Sequence, residues 1–414
     1  MIENKIPLLS IIIPTKNRQF TCLYAIESAL FINSENIEVV VQDCSDTDIL
    51  KEQIFNRFGN DNRIKYFHTD SFPSMTENWN FAISNTIGKY ICAIGDDDAV
   101  LPTCLEVTQW MDLNGVEAVL GAKVSYVWKD AGVNSYTNGR LSHDMNYSGD
   151  IFEVDIKNEF IKKALNCGFG YTDDLTNVYH GIIEKRILEV HKQNCGHYFS
   201  GTSLDVYNAM ILPSYLKNSY YFDYPLTMRG TSGLSNTNRS QSKKGLSSHF
   251  KDFKNLNIPE ILPKVLNAEV AIAESTIVAL QDTNQENLIS KMNLALVYAK
   301  CSAKDLGNFF TYYNQYKKKK NKGNTNSDYF LFFYKFLSER VKVLTRSVVL
   351  KTIFTINPSS EKYIEKFANK RRTVAPDILF ANKMLLEHLS NSSMTIKYES
   401  KFKKLVPQKM IWDK

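Results

Sequence analysis

The chain has 414 residues, 43% of them hydrophobic and 12% aromatic, enough for a large buried core and unlike a disordered chain. Its formal charge of +6 is unevenly spread. Residues 301–414 carry 23 Lys+Arg against 9 Asp+Glu, a balance of +14, so the first 300 residues carry 27 against 35, a balance of −8. The acidic part therefore holds the candidate chemistry, and the basic part reads as an attachment surface.

The N-terminal stretch MIENKIPLLSIIIPTKNR has neither a basic n-region nor a small-residue cleavage site, and no apolar run reaches the ~20 residues of a membrane-spanning helix. This predicts a buried first strand in a cytoplasmic protein. The cysteines, at 22, 44, 92, 104, 167, 195 and 301, are odd in number and scattered, which predicts reduced thiols and no disulfide framework. His191, Cys195 and His197 have the spacing of half a zinc site, but no second cluster completes it, so ordinary structural roles are expected.

In chain order, LLSIIIP (8–14) is a continuous apolar run, as in a strand buried on both faces. Phe20, Leu23, Tyr24, Leu30 and Phe31 follow at helical spacing. IEVVVQD (37–43) and RIKYFHT (63–69) predict two more strands. In SMTENWNFAISNTIGKY, Ser74 and Glu77 have capping-box spacing, Phe81 and Ile83 supply apolar surface, and Gly88 is placed to end the helix. YICAIG (90–95) is the fourth strand. Such alternation predicts an α/β fold with a mostly parallel sheet, whose ligands sit at the carboxyl ends of the strands. Those ends are polar: Thr15 to Arg18, Asp43 to Asp48, His68 to Asp70, and Asp96 to Asp98.

Residues 1–250 are expected to form the main domain, divided into 1–120 and 121–250. A helical segment (251–316), a basic linker KKKKNKGNTNSD (317–328) and a basic helical C-terminal region (329–414) should follow.

Three successive aspartates, Asp96, Asp97 and Asp98, close the fourth strand. Adjacent carboxylates raise one another's pKa unless a cation sits among them. A solvated turn is the bland reading, but an apolar strand precedes the triplet and AVLP follows it. An EF-hand calcium loop would need a glycine at its sixth position and a terminal glutamate, and neither is present. A Mg²⁺ or Mn²⁺ ion shared between carboxylates and a substrate phosphate fits better.

LSIIIPTKNR, VVVQDCSDTD and NWNFAISNTIGKYICAIGDDDAVLP, in that order, resemble the signature of family 2 glycosyltransferases, inverting enzymes of GT-A fold. The GDDD…P combination and the preceding NW helix resemble the subgroup that builds bacterial surface polysaccharides, such as capsule and O-antigen. The resemblance covers residues 8–110 strongly and 111–240 loosely. It implies that Pro14, Thr15, Asn17 and Arg18 border the nucleotide and that Asp43 contacts base or ribose. Asn78 and Asp96 join this nucleotide-binding set, and Asp97 and Asp98 match the last two aspartates of the metal motif. The chain departs from the family at Gly95, where a first aspartate is usual, and at Gln42, beside Asp43. Asp96 and Asp98 also form a D-x-D.

The implied reaction is metal-dependent (Mn²⁺ or Mg²⁺) transfer of a sugar from a nucleotide donor, UDP-linked, to a saccharide acceptor that is lipid-linked. Inversion needs a base for the acceptor hydroxyl. In GTSLDVYNAM, Ser203 is placed to cap a helix and Asp205 lies in its first turn, as the base does in related enzymes; complementing the helix dipole is its bland role. Asp173 and Asp174 are reserve candidates. MRGTSGLS (228–235) reads as a polar loop able to close over a diphosphate, or as plain surface. His180 and His249 are weaker candidates for the acceptor and metal sites, and Trp79 and Trp128 read as stacking platforms or as core.

Two other functions stay open: a sugar-1-phosphate nucleotidyltransferase, though PTKNRQF lacks its glycine-rich loop, and a non-catalytic scaffold of carbohydrate assembly. DYFLFFYKFLSERVKVLTRSVVLKTIF (328–354) mixes bulky apolar residues with Lys335, Arg340, Lys342, Arg346 and Lys351. It suits either an anionic membrane surface, making the protein peripheral at the inner face of the membrane, or a bundle that mediates homo-oligomerisation. No nucleic-acid-binding motif is present.

Overall fold

The computed structural model describes residues 6–70, 73–131, 138–171, 175–235, 258–319, 330–344, 370–392, 394–398 and 400–401. Asp173, Asp174 and His249 lie outside them.

The first strand, β1 (Leu9–Thr15), is buried along its whole length because its two faces enter different cores. Ile12 points to one, and Leu9, Ile11 and Ile13 to the other. Helix α1 (Gln19–Leu30) packs on β1, but not by the expected face. Phe20 and Phe31 are 65% and 50% exposed, whereas Cys22, Ala25, Ile26 and Ala29 are buried. These smaller side chains let the helix approach the sheet closely, and Phe20 and Tyr24 pack against Trp128 instead. There follow β2 (Ile37–Asp43), α2 (Ile49–Phe58), β3 (Ile64–His68) and α3 (Met75–Ser84). The capping box of Ser74 and Glu77 opens α3, which buries Ala82 and Ile83 and leaves Phe81 exposed. Gly88 does not end this helix, which stops at Ser84. It crosses β1 so closely that a Cβ would lie 2.5 Å from Ser10 Oγ.

The chain continues through β4 (Tyr90–Ala93), β5 (Ala99–Val100), α4 (Thr103–Asn114), β6 (Ala118–Gly121), β7 (Ser125–Val127), β8 (Arg140–Asp144) and β9 (Ile151–Glu153). Next come α5 (Ile156–Leu165), β10 (Gly181–Glu184), α6 (Lys185–Cys195), α7 (Leu204–Ile211), β11 (Tyr220–Phe222) and β12 (Thr227–Thr231). Two sheets result, with strand orders β14-β9-β11-β6-β10-β4-β1-β2-β3 and β13-β8-β7-β12-β5. Strands β4, β1, β2 and β3 are parallel neighbours, and antiparallel β10 separates β4 from β6. This is the expected α/β arrangement with a mostly parallel sheet. The aspartate triplet occupies the passage from β4 in the large sheet to β5 in the small one.

Helices α8 (Ala268–Asp282), α9 (Leu294–Lys304) and α10 (Phe309–Lys319) form the expected helical segment, and residues 330–344 form α11. Lys317, Lys318 and Lys319 belong to α10 rather than to a linker; residues 320–328 lie outside the described ones.

The C-terminal region is not simply helical. Strand β13 (Lys370–Val374) pairs with β8, and β14 (Ser400–Lys401) pairs with β9. Between them α12 (Ile378–Asn391) inserts Ile378, Ala381, Leu385 and Leu389 into a core with Ala99, Leu101, Tyr126 and Trp128. Asn382 Nδ2 donates to the Val100 carbonyl at 3.0 Å, and Tyr126 OH to that of Ala375 at 3.1 Å. Strand β13, with the sequence KRRTV, lies at a sheet edge, where charged residues are favoured and apolar alternation is absent. Among the described residues no helix is long and apolar enough to cross a membrane.

Leu385 is fully buried in this third core. Leu385→Ala should therefore cost about 2–5 kcal/mol of stability, read from urea denaturation of the full chain. An unchanged midpoint would mean that α12 is not docked.

Candidate active site

The first two strand ends are sewn together. Asn17, in the left-handed region at φ 56°, donates its amide to Ser45 Oγ at 2.7 Å, and its side chain exchanges hydrogen bonds with Asp46 at 2.9 and 3.0 Å. The Cys44 amide donates to the Thr15 carbonyl at 3.1 Å. Pro14 is buried in β1 beside Gln42. Asp43 is fully buried, accepting from the Ser45 amide at 2.8 Å and from Tyr66 OH at 2.9 Å. Gln42 is a structural tie here: its amide donates to Thr69 Oγ1 and its oxygen accepts from Asn85. Asn78, on α3, donates to the Gln42 carbonyl at 3.4 Å, while its buried Oδ1 has no hydrogen-bond partner.

Each of the three aspartates meets a different neighbour. Asp96 accepts from Thr15 Oγ1 at 2.7 Å and pairs with Arg18 Nη1 at 2.9 Å. Burial works against the Arg18 charge, but Asp96 and Asp97 outweigh it and raise the guanidinium's pKa. Asp98 is fully buried and surrounded by donors. The amides of Gly95 and Gly230 both reach it at 2.6 Å, Tyr179 OH at 2.9 Å, and His180 Nε2 lies 3.3 Å away. Burial alone would raise its pKa; His180 and the two amides overcome that and hold it below the usual carboxylate range. His180, itself buried, is pushed toward the neutral form by burial against the pull of Asp98.

Asp97 is the unbalanced member. Ser232 donates to its Oδ2 twice, from amide at 2.9 Å and hydroxyl at 2.7 Å, and Oδ1 has no donor among the described residues. Burial first, then the charges of Asp98 and Asp96, push its pKa up to about 7 against the opposing effects of Arg18 and Ser232. Three carboxylates thus share one guanidinium and the imidazole of His180. A cation would remove the imbalance, so the donor set fits a hard divalent ion at Asp97, with Asp96 beside it. Among the described residues no three His, Cys, Asp or Glu side chains form a ready-made metal cage, so such an ion would draw on phosphate and water for its other ligands. Asp98, also expected as a ligand, accepts hydrogen bonds from protein donors on both oxygens and so also holds the turn.

Residues 228–235 are not a free loop. Strand β12 pairs with β5 and β7 and carries Gly230 across the triplet, where a Cβ would lie 1.6 Å from the Asp97 carbonyl. Trp128 Nε1 donates to that same carbonyl at 2.9 Å, so Trp128 is part of the packing. Trp79 packs edge-on against Tyr179 and Phe199.

Asp205 lies in the first turn of α7, near enough to His180 to influence its protonation. Its carboxylate accepts from Tyr171 OH and, at 3.1 Å, from Ser203 Oγ. Ser203 occupies the N-cap position but spends its hydroxyl on Asp205, not on a helix amide. The preceding loop is anchored on α8: the Thr202 amide and hydroxyl donate to buried Glu274 at 3.0 and 2.7 Å, and the Ser203 amide donates to Ser275 at 2.8 Å. Behind α7, His191 and His197 share the Tyr207 hydroxyl at 2.9 and 3.1 Å, and that hydroxyl donates to Asp282 at 2.6 Å. The suspected zinc half-site is therefore an internal brace. Tyr171 and Tyr179 were not singled out from the sequence, and Gly230 and Ser232 were read only as part of the polar stretch 228–235; a glycine inside a strand was the available sign of close backbone approach.

Residues 10–171 match the family model described as Glycosyl transferase family 2. This segment is therefore similar to family 2 glycosyltransferases. The chain is 26% identical over 198 residues, 45% of its length, to the GalNAc(5)-diNAcBac-PP-undecaprenol beta-1,3-glucosyltransferase of Campylobacter jejuni. It is 38% identical over 101 residues, 24% of its length, to WcaA of Escherichia coli K12, provisionally named a colanic acid biosynthesis glycosyl transferase. These matches span 63% and 36% of the two relatives, less than two thirds of either. The Staphylococcus aureus TarS 1–349 structure aligns with 76% of this chain and 93% of its own at 17% identity and a TM-score of 0.41.

The raised pKa of Asp97 has a thermodynamic consequence. Unfolded, this carboxyl releases its proton near 4; folded, near 7. The stability that the extra proton contributes is present at low pH and lost as pH rises through about 7. In metal-free buffer, Asp97→Asn should gain melting temperature over the parent progressively from about pH 4 to about pH 7, then level off. A difference independent of pH would contradict this charge arrangement.

Proposed function

We propose that the chain is a metal-dependent inverting glycosyltransferase that moves a sugar from a nucleotide diphosphate donor, UDP-linked, to a hydroxyl of a saccharide acceptor. The observation that carries this reading is the uncompensated carboxylate of Asp97, with one oxygen free of donors at the carboxyl edge of the sheet. Similarity to the Campylobacter jejuni enzyme, whose name specifies a PP-undecaprenol-linked glycan, supports a lipid-linked acceptor in bacterial surface-glycan synthesis.

In this mechanism the strand-end loops of Pro14, Thr15, Asn17 and Arg18 border the nucleotide. Asp43 shapes the base side, and the orphaned Asn78 Oδ1 is available to a donor group of the nucleotide. Asp97, with Asp96, would hold Mn²⁺ or Mg²⁺. Such an ion neutralises charge on a departing diphosphate. Asp205 takes the proton of the acceptor hydroxyl as its oxygen attacks the anomeric carbon and the bond to the nucleoside diphosphate breaks with inversion. Tyr171 and Ser203 fix the direction of that carboxylate.

Calorimetry tests the reading. UDP should bind the parent with an affinity that Mn²⁺ increases, and Asp97→Asn should lose the metal-dependent part. Absence of metal-dependent UDP binding would sink the proposal in favour of a scaffold. Asp205→Asn should bind UDP and Mn²⁺ as the parent does but transfer sugar about 10²–10⁴-fold more slowly. Transfer at the parental rate would remove Asp205 from the base role. Hydrolysis of a panel of nucleotide sugars would name the donor.

A further inference from the structure

Helix α11 carries apolar side chains on two faces, one packed on α10 and the other exposed. On the inner face Phe332 is fully buried against Phe309, Tyr313 and Tyr316, and Phe336 packs on Phe309. Glu339 pairs with Lys300 at 2.9 Å, and Arg340 donates to the Ala303 carbonyl at 3.0 Å. These contacts fix the rotation of the helix. The outer face then presents Phe330, Tyr334, Leu337, Val341 and Leu344, between 47% and 72% exposed, with Phe333, 41% exposed, at its margin, where its ring also packs on Tyr313. Their positions, i, i+3, i+4, i+7, i+11 and i+14, make one stripe along the helix.

The charge around this stripe is of one sign. Lys335 and Lys342 flank it, and Lys317, Lys318 and Lys319 end the neighbouring α10. Glu339, the sole acid among residues 330–344, belongs to the inner face and is held by Lys300 and Lys342. A stripe of aromatic and aliphatic side chains beside lysines matches a helix lying in the plane of an anionic lipid surface, with rings in the headgroup boundary and ammonium groups among the phosphates. Symmetric pairing with a second copy would set Lys335 and Lys342 near their own duplicates, which opposes it.

We propose that the outer face of α11 is a docking surface for an anionic bilayer, which holds the transferase beside a lipid-linked acceptor. This deepens the functional reading above by naming the surface on which the acceptor is met. Vesicle binding requires no donor, metal or turnover, so its failure and the failure of the transfer reaction are separable.

Co-sedimentation of the full chain with phosphatidylcholine vesicles, with and without phosphatidylglycerol, provides the test. Binding is expected to need phosphatidylglycerol and to weaken as salt is raised. Phe330→Ser/Leu337→Ser should lower the partition coefficient by about tenfold or more, with the melting temperature and UDP binding unchanged. Lys335→Gln/Lys342→Gln should lower binding while leaving the apolar stripe intact. The proposal is overturned if the folded parent ignores anionic vesicles or if the Phe330/Leu337 variant binds as the parent does. It is equally overturned if the parent is a lipid-free dimer that the same variant dissociates, because the face would then belong to a second copy.

Discussion

Three consecutive buried carboxylates cannot coexist without partners, and this architecture answers that repulsion separately at each one. Asp96 is neutralised from β1 through Thr15 and Arg18. Asp98 is neutralised from the far side by the amides of Gly95 and Gly230, with Tyr179 and His180 completing its shell. Asp97, between them, keeps one oxygen to which no described residue donates. The same contacts join the two sheets, since the strands that supply them belong to different ones. Electrostatic balance and tertiary assembly are therefore one problem here, and it is left unbalanced at Asp97.

The first hundred residues were legible because their signals are local. Strands with both faces buried read as unbroken apolar runs, and β1, β2 and β4 appeared where those runs lie. The Ser74 and Glu77 capping box is a short-range device and could be read as such. Helix α1 was misread in its facing because large apolar residues drew attention while the close contact is made by small ones. Gly88 was misread for a related reason: a glycine after a helix suggests a cap, but close approach of another strand demands the same residue.

The rest of the site depends on contacts distant in sequence. Asp98 meets Gly230 across 132 positions, and Asp97 meets Ser232 across 135. No spacing rule links such residues, so nothing in the sequence marked Gly230 and Ser232 as donors to the aspartate triplet. Asp205 was found through local resemblance, but its partner Tyr171 lies 34 residues away and carries no motif. The C-terminal region was hidden in another way: an edge strand of basic residues has no alternation to betray it, and α12 packs back on a strand made much earlier.

That return path has a consequence for synthesis. Asn382 reaches Val100 over 282 residues, and the Ala375 carbonyl is met by Tyr126 over 249. Contacts of such separation carry a large loop-closure cost and form late. During translation the strand that leaves the aspartate turn lacks its α12 cover until Asn382, 282 positions later, has been made. The strands and helices formed first therefore wait, with part of their supporting core uncovered, for residues synthesised much later.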